Sequence, residues 1–354
     1  MSKISTQQSH ALTIAVFFNT ILVIIRHSFN LHQYYKGGNP WMKVIDCNVF
    51  FQRFIDKYTC LAIPFFFLIS GFLFFNNVNQ LNDCLKKIKK RFFTLFIPYL
   101  YWNIILISLC LILSIFPQLR PQLQHTYKLQ YSLSWIIEKL TYSPIVGQFW
   151  YIRTLFIFIL LSPLYFLIFK SKLFSLSIII LSIILWDLVD TSIFSTEGIC
   201  FFLLGGFLAY HMCLPPKRPC KIWLWLILPQ VLIILIHVFS YKIPTYILNY
   251  ILKICIFIQI YTNWQFCLHM ASNAKVCLFL IEMNRHSFFL YATHSTILSG
   301  LSLYLSKLLP HNPYFSVFAY ILCFFSTLFL SLAFSFYLRK SFPKFYSLLT
   351  GGRS

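Results

Sequence analysis

The sequence predicts an all-α, polytopic bundle of about ten membrane-spanning helices, and three observations carry that expectation. Of its 354 residues 59% are hydrophobic and only 10% charged, more apolar surface than a single water-soluble core can hide. The apolar residues fall in runs of about 20, the length at which a helix crosses a bilayer. Runs such as 149–169 lack the strict alternation of a barrel strand, and helices are the other way to satisfy backbone polar groups in hydrocarbon.

In chain order the expected spans lie near residues 10–27, 59–77, 92–116, 148–169, 173–189, 198–213, 221–240, 245–263, 286–307 and 314–338. The first is closed by Arg26 and His27 in ILVIIRHSFN and carries no small-residue cleavage site behind it, so it is expected to stay as an anchor. The second, AIPFFFLISGFLFF, holds a proline and a glycine that bend a helix or admit a close neighbour. Lys86, Lys87, Lys89, Lys90 and Arg91 precede the third, and FWYIR opens the fourth with Arg153 at its boundary. The fifth and sixth, around Trp186 and Phe201, are short. The ninth holds His294 in SFFLYATHS, and the tenth runs into Arg339 and Lys340. Cytoplasmic loops collect lysine and arginine, so this distribution places both termini in the cytoplasm and His27 and Arg153 at the outer face. The outer segments, near 28–58 and 117–147, are rich in Tyr, Gln, Asn and Trp and suit a surface that meets a polar acceptor. No fixed-period repeat or Gly/Ser linker divides the chain, so residues 1–354 are expected to form a single integral-membrane domain.

The net charge of +21 is a topology signal here, and a nucleic-acid partner is not expected. The eleven cysteines form no CxxC and no zinc spacing, so no metal is expected. HExxH, GxxxxGK[ST], GxSxG and EF-hand patterns are missing, which removes support for metalloprotease, nucleotide-hydrolase and serine-hydrolase chemistry. The eight acidic residues all fall in loops or near span ends, whereas ion-coupled transport usually places a carboxylate in mid-membrane.

Asn19 and Thr20 precede His27 by eight and seven residues, a spacing that sets them on one helical stripe facing the bundle interior. An imidazole there either takes a proton from a hydroxyl near neutral pH or is a histidine hydrogen-bonded at headgroup level. Arg153 either snorkels or binds an anion. His294, with Tyr291 three residues earlier on the same face, is either a satisfied core histidine or part of a site. The basic cluster at 86–91 orients the chain and also suits phosphate groups.

Together VIIRHS, IPFFFLISGFLFF, LKKIKKRFFTLFIPYLYWN, FWYIRTLFIFILLSPL, SFFLYATHS and PKFYSLLTGGR resemble the acyltransferase 3 family of bacterial integral-membrane acyltransferases, many of which O-acetylate cell-surface polysaccharides. The resemblance covers nearly the whole chain. It implies a ten-span protein of the bacterial cytoplasmic (inner) membrane. Such a protein moves an acyl group, acetyl being the first expectation, from cytoplasmic acyl-CoA (acetyl-CoA) to a hydroxyl of a cell-surface or exported saccharide. It implies a catalytic His27, acting as base or transient acyl carrier, with Arg153 stabilising negative charge or holding substrate and His294 lining the same site. Arg26, Asn19 and Tyr291 are then substrate-binding candidates, and Lys86, Lys87, Lys90 and Arg91 candidates for the coenzyme phosphates. The family pattern has an arginine about ten residues before the histidine, where this chain has Val16 and instead carries Arg26 beside His27. The TGGR tail agrees with the family and assigns no role. Two other readings use the same residues: a transporter or flippase of a lipid-linked or exported saccharide, needing no acyl-CoA, and a structural partner in surface-polymer assembly.

Overall fold

The structure, a computed structural model, describes residues 4–29, 55–187, 195–211, 244–308 and 313–353. Among them there are helices and no strand. Five helices are long and apolar enough to cross a membrane: Thr6–Ser28, Ile55–Phe75, Leu81–Leu113, Asn249–Ser272 and Val317–Ser341. A bent pair, Gly147–Leu160 and Ser162–Phe169, passes the same test only when its two pieces, meeting at 56°, are taken as one unit. Pro163 sits in the first turn of the second piece, where it lacks the N–H that would continue the ladder. The expected fifth and sixth spans are the shorter apolar helices Lys172–Ile184 and Thr196–Tyr210. The expected seventh span, 221–240, lies outside the described residues, as does most of the outer segment 28–58. The expected ninth is the 22-residue helix Ser287–Leu308, polar enough through its Thr, His and Ser residues not to rank with the five.

Helix α1 (Thr6–Phe29) is the axis of the bundle. It packs against α2 (Ala62–Phe75), α11 (Thr245–Ser272), α12 (Ala274–Asn284), α13 (Ser287–Leu308) and α14 (Pro313–Ser341). Its Ala11, Ile14, Ala15 and Ile24 are buried, so the helix has core on more than one side, as a helix with little amphipathicity should.

The basic cluster forms α3 (Leu81–Arg91), rather than a loop. It is joined to α4 (Ile97–Leu113) through one π-helical turn, Phe92–Phe96. The expected outer segment after α4 is partly helical, as α5 (Arg120–Tyr127) and α6 (Leu133–Thr141). Then come α7 (Trp150–Leu160), α8 (Ser162–Phe169), α9 (Lys172–Ile184) and α10 (Thr196–Tyr210). A short terminal helix, α15 (Pro343–Thr350), ends the chain.

The tightest crossing joins α2 to α10. A Cβ on Gly71 would lie 2.1 Å from the Phe202 carbonyl oxygen, and one on Gly205 2.0 Å from that of Leu68. Only glycine lets two backbones meet at that separation, the usual way for helices to associate in lipid, where the solvent is as apolar as the side chains. Around this crossing Phe67, Phe75, Phe158, Phe169, Phe201 and Phe202 are fully buried, with edge or tilted ring contacts. This rigid half fixes α7, and α7 carries one wall of the site.

Candidate functional site

Ser9, Thr13, Val16 and Thr20 recur at helical spacing and turn one face of α1 to a cavity of about 350 Å³. The opposing walls bring Ser70 of α2, Arg91 of α3, Tyr151 of α7 and Tyr291 of α13. The chain's own tail closes it with Arg353. Ser9 and Arg353 lining one cavity puts both ends of the chain at the same end of the bundle. Ser70 and Tyr151 share a hydrogen bond of 3.2 Å, and Tyr151 lies edge-on to Tyr291 at 6.2 Å.

Beyond Thr20 and Tyr291 stands a pair of histidines. His27 is seven residues past Thr20, about 10 Å along the helix axis, and His294 is three past Tyr291. Their ring centroids are 5.2 Å apart. His294 is fully buried, and its Nδ1 faces the carbonyl oxygens of Tyr291 at 2.8 Å and Leu290 at 3.2 Å. Carbonyls only accept, so Nδ1 carries the proton and Nε2 keeps its lone pair. That Nε2 is buried and, among the described residues, has no hydrogen-bond partner, as is true of Nδ1 of His27. Such atoms occur elsewhere in the bundle too, Gln148 Oε1 and His286 Nε2 among them, but here two stand on facing rings, which makes the pair a candidate place for a reacting group.

Gln148 fixes this arrangement. Its amide donates to the carbonyl oxygens of Tyr291 (3.1 Å) and Ala292 (2.9 Å), while the Tyr291 hydroxyl donates back to the Gln148 carbonyl. Phe149 stacks on Tyr291 at 5.9 Å. The turn Gly147–Phe149 therefore clamps the same stretch of α13 that sets the tautomer of His294. Sequence reasoning missed Gln148; its signal is an amide in GQFWYIR at the very start of an apolar run.

A second cavity, also about 350 Å³, starts one residue before His27, at Arg26. Asp56, Lys57, Trp186, Glu197 and Lys253 line it. Arg26 lies 3.8 Å from Asp56, and the Lys253 ammonium sits over Trp186 at 5.5 Å and Tyr250 at 5.1 Å. Neither histidine is in the wall of either cavity: on α1 the first cavity ends at Thr20, the second takes Arg26, and His27 follows directly.

The other expected site residues divide. Tyr291 and Arg91 line the first cavity and Arg26 the second. Asn19 does not share the stripe with His27. It is buried against α11, donating to the Ala15 carbonyl (2.7 Å) and facing the Asn263 amide (3.4 Å). Arg153 lines neither cavity and stands beside Tyr99 and Tyr142, because α7 turns Tyr151, Ile152 and Leu155 to the first cavity instead. Lys87 donates to the Phe74 (2.6 Å) and Asn76 carbonyls that end α2, so it caps a helix rather than facing the cavity. Lys86 and Lys90 are exposed on α3. Among the described residues no cluster of His, Cys, Asp and Glu could hold a metal ion.

The family model described as an acyltransferase domain matches residues 17–339, which include both histidines, Arg91, Gln148, Arg153 and Tyr291 and leave out Val16 and Arg353. No curated protein and no solved structure matches the chain.

Proposed function

Because this chain belongs to the acyltransferase 3 family and is a multi-pass membrane protein, we propose that it moves an acyl group from acyl-CoA, delivered through the first cavity, to a saccharide hydroxyl presented in the second. The observation that carries this reading is the pair of facing histidine rings with buried, unpartnered nitrogens, next along α1 to the second cavity's Arg26. In the reading, the protein has about ten spans in the bacterial cytoplasmic membrane, with both termini and the first cavity inside. Acetyl-CoA is the first donor to test.

The chemistry follows from the lone pairs. The acceptor oxygen attacks the thioester carbonyl while His27 takes its proton; the carbon–sulfur bond breaks, and the coenzyme thiolate leaves and takes that proton back. His294, held as the Nδ1–H tautomer, presents an unprotonated Nε2 to accept a hydrogen bond from the imidazolium of His27. Gln148 holds one of that tautomer's two partner carbonyls, that of Tyr291, in place. A cavity of about 350 Å³ lies at the small end of ligand sites and suits the narrow pantetheine arm of the donor. The acceptor cavity offers Asp56, Glu197 and Gln259 as hydrogen-bonding groups, which suit the hydroxyls of a sugar.

The test is transfer of labelled acetyl from acetyl-CoA to surface saccharide in membranes carrying the wild type, His27→Ala or His294→Ala at matched abundance. Label should appear only with the wild type. Equal labelling in all three removes the histidines from the chemistry. Movement of saccharide across the membrane without acetyl-CoA would instead support the transport reading.

A further inference from the structure

The last helix is followed by two glycines that turn the chain back inward. Helix α15 is anchored where it starts and where it ends. Tyr346 is fully buried, and its hydroxyl meets Ser335 (2.9 Å) and the Arg285 carbonyl (3.2 Å). The Trp102 indole N–H donates to the Leu349 carbonyl at 3.0 Å. Gly351 and Gly352 then take φ of +67° and +77°, the left-handed conformation that caps a helix and reverses the chain. Gly351 is also pressed on the π-helical turn: a Cβ there would lie 2.2 Å from the Thr94 carbonyl oxygen. The reversal brings Arg353 back into the bundle, its guanidinium stacked on Phe288 at 4.6 Å and donating to the Thr350 carbonyl at 3.4 Å.

The destination is the first cavity. Arg353 and Arg91 are the two cations in its wall, no carboxylate lines it, and among the described residues neither arginine has an ion-pair partner. Glu282, two residues before the cavity-lining Asn284, is held by Arg339 (2.8 Å) and Arg285 (3.2 Å). Burial, and then the charge of Arg91, lower the Arg353 guanidinium to about 10, so it stays charged at neutral pH. A built-in cap, a glycine with no room for a side chain and a stacked arginine together hold one positive charge beside another, with no side-chain carboxylate in the cavity wall among the described residues.

We propose that Arg353 and Arg91 form a two-guanidinium clamp for the phosphate groups of the acyl donor, which makes the C-terminal tail part of the donor site. The clamp rests on the acyl-transfer reading above. It goes beyond it in assigning donor recognition to a residue outside the family match and to Arg91 in place of the lysines of α3. Guanidinium forks suit phosphate because each presents two parallel N–H groups to two oxygens.

The experiment measures binding of labelled acetyl-CoA and of S-acetylpantetheine, which lacks phosphate, to the full-length protein in lipid nanodiscs, comparing wild type, Arg353→Gln and Arg353→Lys. Thermal melting checks that the variants fold alike. Arg353→Gln should weaken acetyl-CoA binding about 10- to 100-fold, the worth of a charged hydrogen-bonding group, and leave S-acetylpantetheine binding unchanged. Arg353→Lys should recover part of the loss. If Arg353→Gln binds acetyl-CoA as the wild type does, or loses both compounds equally, the clamp is overturned while acyl transfer stands. A wild type that binds neither compound takes away the acyl-transfer reading itself.

Discussion

The two cavities are alike in volume and differ in the make-up of their charge. The first presents two guanidinium groups and no carboxylate in its wall; the second presents Arg26, Lys57 and Lys253 together with Asp56 and Glu197. Where the dielectric is low, charges without counterparts keep their full pull on an incoming anion. In the second cavity two carboxylates answer most of the three cations and leave mainly hydrogen-bonding capacity. The comparison teaches that the two walls suit different ligands: on the proposed reading, a phosphorylated donor the first and a neutral polyhydroxy acceptor the second.

The widest effect should come from the histidine pair. His27→Ala or His294→Ala should lower turnover about 10²- to 10⁴-fold, the usual worth of a positioned acid or base, with KM for donor and acceptor both unchanged. A KM change for one substrate alone would move the pair into that substrate's cavity and break the comparison. Next, Arg91→Gln should raise donor KM about 10- to 100-fold and leave acceptor KM alone. An equal rise in both would mean that the cavities are not separate. Gln148→Leu removes two hydrogen bonds of about 1 kcal/mol each, which corresponds to roughly a tenfold or somewhat larger fall in kcat, and should act without preference for either substrate. A KM effect confined to the donor would place Gln148 in the first cavity.

A sharper test tries to make the second cavity resemble the first. Asp56→Asn with Glu197→Gln leaves Arg26, Lys57 and Lys253 without their carboxylates, so acceptor affinity should fall several-fold, on the order of one hydrogen bond. Competition by inorganic sulfate for the acceptor should appear. No sulfate competition in the double variant would show that the carboxylates do not set that cavity's character. The smallest effect concerns Glu282. Its bond to Arg339, and then the nearby arginine charges, hold its carboxyl below the usual range. A depressed carboxyl contributes stability above its unfolded pKa, and that contribution fades as pH falls through the lowered value, below about pH 4. The group is exposed, so solvent screens the gain. Glu282→Gln should remove this acid-side loss, and an identical melting profile against pH in the variant would count against it.

Much of this was legible in the sequence, and the rest was hidden for identifiable reasons. Long apolar runs gave an all-helical membrane protein, and His27 and His294 stood out because a polar ring is costly among apolar neighbours. Arg91 and Tyr291, singled out through the family motifs, line the first cavity. Asn19, expected on a stripe facing the bundle interior, is buried there, and neither it nor Arg153 lines a cavity. Periodicity says which residues share a face, but the neighbour that a face meets is decided by packing: α11 takes Asn19, and α7 turns Tyr151 inward at the expense of Arg153. Lys87 looked like its basic neighbours until the frayed end of α2 proved to need a donor. Gln148 acts through backbone carbonyls of a helix 143 residues away, a partnership no local spacing reveals. Span counting was blurred where Pro163 splits one apolar run into two short helices.

The π-helical turn at Phe92–Phe96 has one more consequence, for which changes of length the rod accepts. A π turn stores one surplus residue in an otherwise regular rod. Because the bulge absorbs that residue, the helix on either side keeps the phase of an uninterrupted rod. Losing one of those five residues would restore the regular ladder and leave Arg91 on the cavity wall, whereas losing one from the regular turns of α4 would rotate everything before it by about 100° and slide it by about 1.5 Å. The turn is slack in the rod, a place where a single codon can be lost without turning the cation away from its cavity.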